Sequence, residues 1–108
     1  MTRGALVIVA TEGAYTSKPR PAVVVQTDLF TPTHASVTLC PITSDCVDAP
    51  LFRITLPPGG RTGLTAPSQV MVDKIVSVPR DAIVREVGCC DQDEIAAIDE
   101  ALRVWLGL

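Results

Sequence analysis

Asp91-Gln92-Asp93-Glu94-Ile95-Ala96-Ala97-Ile98-Asp99-Glu100-Ala101-Leu102-Arg103-Val104-Trp105-Leu106-Gly107-Leu108 closes the chain. It is the one segment with a helical repeat. Ile95, Ile98, Leu102 and Trp105 form an apolar stripe at helical spacing. Asp99, Glu100 and Arg103 fall largely off it. Asp91 suits the N-cap, with Glu94 three residues on to complete a capping box. Asp93 and Glu94 sit against the positive end of the helix dipole. This spacing predicts a terminal amphipathic helix laid on something apolar.

Everything before it reads as short strands and turns. Ala5–Ala10 and Pro21–Gln26 are β-branched runs buried on both faces. Ser36–Cys40 alternates and is expected to stop at Pro41. Leu51–Leu56 is a fourth strand, Gln69–Ile75 a fifth and Ala82–Val87 a sixth. Pro57-Pro58-Gly59-Gly60 opens a long loop, Pro79-Arg80-Asp81 makes a turn, and 11–20 and 29–34 are connections. Six strands and one terminal helix predict a mostly-β (α+β) domain over residues 1–108: a curved antiparallel sheet or small barrel with a docked C-terminal helix.

Composition narrows the function. Apolar residues are 47% of the 108, which excludes a disordered chain. The four aromatics Tyr15, Phe30, Phe52 and Trp105 are too few for a repeated base-stacking platform. The net charge of −3 excludes a generally basic nucleic-acid binder. The acid is uneven, however. Residues 86–108 hold six acids and only Arg103, whereas residues 1–85 hold eight cations against six acids. That longer part leaves room for a nucleic-acid partner. No apolar run reaches a membrane span, and Ala5–Ala10 is too short for a signal peptide, so a cytoplasmic protein is expected. Cys40, Cys46, Cys89 and Cys90 lack zinc spacing and read mostly as buried small apolar residues. The neighbours Cys89 and Cys90 should face opposite ways on a strand.

The remaining chemistry lies at strand ends. His34 is the only histidine, so no two-histidine acid–base pair exists. Lys18-Pro19-Arg20-Pro21 sets two cations before a rigid strand, and Arg suits bidentate phosphate contact. Pro41-Ile42-Thr43-Ser44 sets two hydroxyls after another. Two readings stand for these residues: a phosphate site, or a surface ion pair at Arg20 with a turn cap at Thr43.

Arg3-Gly4, the run from Lys18 to Asp28, Pro41–Ser44, the run Ser68-Gln69-Val70-Met71-Val72-Asp73-Lys74-Ile75 and the end Ile98–Leu108 resemble, in order and along nearly the whole chain, the MazF/PemK toxins of bacterial toxin–antitoxin pairs. The resemblance implies an SH3-like curved sheet with a C-terminal helix, working as a homodimer. It implies an endoribonuclease that cuts single-stranded RNA, chiefly mRNA, at particular sequences without metal or cofactor. Attack of the 2′-hydroxyl would leave a 2′,3′-cyclic phosphate and a 5′-hydroxyl. The implied partner is a cognate antitoxin, through which alone the toxin meets DNA. No membrane is involved.

By the same resemblance the catalytic residues are Arg20 and Thr43. Arg20 stabilises charge or donates to the leaving oxygen, since a guanidinium is a poor general base. Asp73 matches an acidic position near the scissile group in some relatives; an ion pair with Lys74 or Arg20 is the other reading. Tyr15, Lys18, Ser44 and Lys74 are candidate RNA contacts. Tyr15 either stacks on a base or packs on its own domain. The loop before Arg20 is shorter than in many relatives, so cleavage specificity does not carry over. A CcdB-like gyrase poison shares this fold and ends in Trp-Gly-Ile. Here Leu106 separates Trp105 from Gly107, and Trp105 fits the helix stripe. A catalytically dead antitoxin-binding module is the third reading.

Overall fold

The computed structural model describes residues 1–10 and 18–108. Seven strands form one antiparallel sheet: β1 (Ala5–Val9), β2 (Arg20–Val24), β3 (Ser36–Thr43), β4 (Arg53–Leu56), β5 (Ser68–Met71), β6 (Val76–Pro79) and β7 (Ile83–Cys89). The order is β4-β5-β3-β2-β1-β7, with β6 also on β3. The end strands β4 and β7 do not pair, so the sheet curves without closing. The one α-helix among the described residues, α1, spans Gln92–Leu106.

β3 organises the sheet. One edge pairs with β2. The other edge is shared: Ser36–Leu39 pair with β6, and Ile42 and Thr43 pair with β5. Pro41 does not stop the strand as expected. It stands opposite Ala22 of β2, and on its other edge it faces the gap between β6 and β5. Its missing N–H therefore costs no ladder bond on that side. The expected fifth strand also breaks. After Met71 the chain makes a 3-10 turn, Val72–Lys74, and resumes as β6, so seven strands stand where the sequence suggests six.

The alternation of the strands produces two cores. Leu6, Val23, Cys40, Ile42 and Val70 face one way and pack with Ile98, Ala101 and Leu102 of α1. Ala5, Val7, Val9, Ala22, Val24, Val37 and Leu39 face the other way and pack with Val78. β1 and β2 are thus buried on both faces, as their composition requires.

The helix forms as expected. Asp91 accepts from the Glu94 backbone at 2.8 Å, and Glu94 accepts from the Asp91 backbone at 2.8 Å. Gly107, in the left-handed conformation, ends it. Three expectations change. Trp105 is 49% exposed and meets Phe52 at 5.9 Å, so it lies on the rim of the core. Core packing alone therefore does not explain that residue. Cys40 and Cys90 are buried, but Cys46 and Cys89 are exposed. Cys89 ends β7 and Cys90 lies just beyond it, so the two do not share a strand as expected.

Candidate functional site

A groove of about 430 Å³ opens on the face of the sheet opposite α1. Its floor is Val9, Ala22, Leu39 and Val78, and its polar wall includes Arg20, Thr43 and Lys74. Strand register brings the first two together. Ala22 stands opposite Pro41, the last paired rung of β2 and β3. Arg20 and Thr43 each lie two residues further on, so they share the face of Ala22 and Pro41. Beyond that rung β3 turns to β5 and the two strands part. The groove forms where the ladder opens, with a cation on one lip and a hydroxyl on the other.

Arg20 is exposed at the first position of β2. Thr43 is partly buried, and its Oγ1 accepts from the Asp45 backbone N–H at 3.0 Å. The turn-cap role is therefore real. A hydroxyl retains its proton while accepting, so Thr43 can still donate to a ligand oxygen in the groove.

The loop after Thr43 is held by polar groups. Residues 44–48 are all exposed. Gln69, directly across from Thr43 in the ladder, is only 8% exposed. Its Nε2 donates to the Val47 carbonyl at 2.9 Å, and its Oε1 accepts from the Val47 N–H at 3.0 Å. Arg53 donates to the same Oε1 at 3.2 Å and to the Asp45 carbonyl at 3.4 Å. Neither Gln69 nor Arg53 carries a local sign of belonging to a site. Only the register Thr55–Gln69–Thr43 puts them on the groove face.

The other expected residues divide. Lys74 lines the groove and is exposed. Lys18 is exposed, two residues before Arg20, and Ser44 is exposed beside Thr43. Asp73 is not part of the groove lining. Its Oδ1 is buried without a hydrogen-bond partner, and its charge acts on the Cys40 thiol in the helix-side core. Among the described residues it pairs with neither Lys74 nor Arg20. Tyr15 lies outside the described residues. Burial pushes the Cys40 and Cys90 thiols up to about 12, so neither is a nucleophile at neutral pH. Among the described residues no helix is long and apolar enough to cross a membrane.

Comparison with known proteins adds a family. A family model described as the PemK-like, MazF-like toxin of type II toxin–antitoxin systems matches residues 2–106. The probable endoribonuclease MazF of Mycolicibacterium smegmatis is 44% identical over 108 residues, spanning 100% of this chain and 98% of that protein. The solved Mycobacterium tuberculosis toxin MazF-mt6 superposes with a TM-score of 0.82 at 22% identity, covering 96% of this chain and 97% of that one. A mycobacterial endoribonuclease solved with its cognate antitoxin gives 0.82 at 21% identity, covering 100% and 96%. At such identities these two structures share the fold.

Proposed function

The chain belongs to the PemK-like, MazF-like toxins of type II toxin–antitoxin systems, and from that premise we propose that it is a growth-inhibiting endoribonuclease that cuts single-stranded RNA in the groove. The observation that carries this reading is the meeting of Arg20 and Thr43 on one face, where β2 and β3 part. The identity with a probable MazF endoribonuclease over the whole chain supports it.

The ribose 2′-hydroxyl gives up its proton to solvent as its oxygen attacks the adjacent phosphorus. Its bond to phosphorus forms as the bond to the 5′-oxygen breaks, giving a 2′,3′-cyclic phosphate and, once the leaving oxygen takes a proton, a 5′-hydroxyl. The transition state gathers negative charge on the phosphate oxygens. Arg20 supplies a fixed positive charge and donors on one side; the Thr43 hydroxyl donates from the other. Lys74 and Lys18 attract the flanking phosphates. This scheme calls on no metal. The apolar floor gives an unpaired base a dry surface, as a single strand allows.

In this reading the chain works in the cytoplasm as a homodimer, and a cognate antitoxin restrains it by covering the groove. The relative solved with its antitoxin supports such a partner.

The test is cleavage of a long synthetic RNA in EDTA by purified wild type, Arg20→Ala and Thr43→Ala, with the ends analysed. Discrete cuts bearing cyclic phosphates, lost in both variants, are expected. An intact RNA with folded wild type refutes the reading. A CcdB-like action on gyrase has one observation in its favour, the exposure of Trp105, Leu106 and Leu108 at the helix end. A supercoiling assay tests it directly.

A further inference from the structure

We propose that Gln69 is a positioning residue for Thr43: its side-chain amide closes the loop that fixes the Thr43 hydroxyl on the groove. The inference rests on the reading of the groove as the RNA-cutting site.

The physical problem is the loop of residues 44–48. It follows directly on Thr43, all five residues are exposed, and the Val47 side chain is 46% exposed. None of its five residues is buried. Such a loop would move freely, and with it the Asp45 N–H that orients Thr43 Oγ1. Gln69 supplies the anchor. Its carboxamide matches the Val47 backbone donor for acceptor and acceptor for donor, like one added rung of ladder.

The amide is buried, where an unpaired polar group is costly, so the pairing is strongly preferred over release. Arg53 strengthens it by donating to both Gln69 Oε1 and the Asp45 carbonyl. The chain of contacts runs from Gln69 to Val47, through two residues of loop to Asp45, and on to Thr43. Gln69 has no reason to touch RNA itself; its polar atoms are spent on the loop. It sits opposite Thr43 in the ladder, so strand and loop enclose the threonine from two sides.

Gln69→Met keeps the shape and removes every bond to Val47. Cleavage of a short single-stranded RNA under single-turnover conditions, with enzyme in excess, isolates the effect. The maximal rate should fall on the order of 10- to 100-fold, the usual result of a small misplacement. The enzyme concentration giving half that rate should stay within about twofold, because the phosphate-binding cations are untouched. In a Thr43→Ala background, where only a slow residual rate read over long single-turnover incubations remains, Gln69→Met should change nothing further, since the residue it positions is gone. A purely structural role would lower the rate equally in both backgrounds, and that result overturns the proposal, as does an unchanged rate in Gln69→Met. If wild type itself leaves RNA intact, the nuclease reading falls and this proposal with it. If wild type cuts and Gln69→Met cuts as fast, only this proposal falls. Should Gln69→Met not fold, Gln69→Glu retains the acceptor for the Val47 N–H and Arg53. Its second carboxylate oxygen meets the Val47 carbonyl where Nε2 donated, so the two repel and the loop is released on that side; an unchanged rate or a loss independent of Thr43 then overturns the proposal.

Discussion

Thr43 gives its oxygen two separable tasks, and Thr43→Val removes both while keeping the side chain's shape. The first task is the bond from the Asp45 N–H at 3.0 Å. A neutral hydrogen bond contributes about 0.5–1.5 kcal/mol net. This one is open to water, which can take over the N–H, so a loss of about 0.5 kcal/mol applies. For 108 residues the unfolding entropy is about 0.23 kcal/mol/K, so Tm should drop by about 2 °C. Under the proposed function the second task is donation to the phosphate oxygen as charge builds there. Loss of one such donor lowers kcat by about 100- to 1,000-fold, equivalent to about 2.7–4 kcal/mol. The activity loss should therefore exceed the stability loss severalfold, and unfolding does not account for it. Thr43→Ser keeps the oxygen and should restore both quantities. Paired thermal melts and rate measurements on the three proteins decide the matter. A fall in Tm with an unchanged rate makes Thr43 a turn cap only. A Thr43→Ser variant as slow as Thr43→Val shows that the hydroxyl is not what matters.

Gly88→Ala should destabilise by about 1–3 kcal/mol, because a Cβ there would stand 2.3 Å from the Arg61 carbonyl oxygen and 2.4 Å from the Thr62 backbone. Gly60→Ala, with nothing within 4 Å, is the matched control and should melt with wild type. Thiol titration with Ellman's reagent at pH 8 should find Cys46 and Cys89 quickly, and Cys40 and Cys90 only after unfolding. Cys40 also predicts an alkaline limb. Burial pushes its folded pKa up to about 12 from the ordinary thiol value of 9.0, so the folded state holds the proton more tightly. The stability it contributes is full below pH 9 and is lost as pH rises toward 12. The slope is at most about 1.4 kcal/mol per pH unit. Melts of Cys40→Ala from pH 9 upward should fall less steeply than wild type; parallel curves would contradict the assignment.

The helix, its capping box and the doubly buried β1 and β2 were legible in the sequence because each is a local property: a period, a cap, a β-branched run. What failed was tertiary. Pro41 reads as a stop by its own chemistry, and only the gap between β6 and β5 makes it harmless. Gln69–Ile75 reads as one strand because Val70, Val72 and Ile75 are all apolar; the break at Val72–Lys74 appears only because β3 passes from one partner to another. The candidate site divides the same way. Arg20 and Thr43 come from a resemblance and are brought to one groove by register. Gln69 and Arg53 have no local signature, since a glutamine inside a strand shows its purpose only when the loop it holds is in view.

Net charge is a poor guide to this molecule because the fold separates its charges. Residues 86–108 carry half of the acid and only one cation, and α1 packs on the face of the sheet away from the groove. Three of its acids are ion-paired, Asp99 with Arg3 at 2.6 Å, Glu94 with Arg61 at 2.6 Å and Glu100 with Arg103 at 3.4 Å. Packed layers stand about 10 Å apart, beyond the screening length of about 8 Å at physiological salt. Under the proposed function a phosphate in the groove would therefore meet chiefly Arg20 and Lys74, with Lys18 two residues before Arg20, although the whole chain is at −3. The same separation tells against any reading in which the acidic helix lines a nucleic-acid site. It also ties RNA binding to a few exposed cations, so that binding should weaken steeply with added salt.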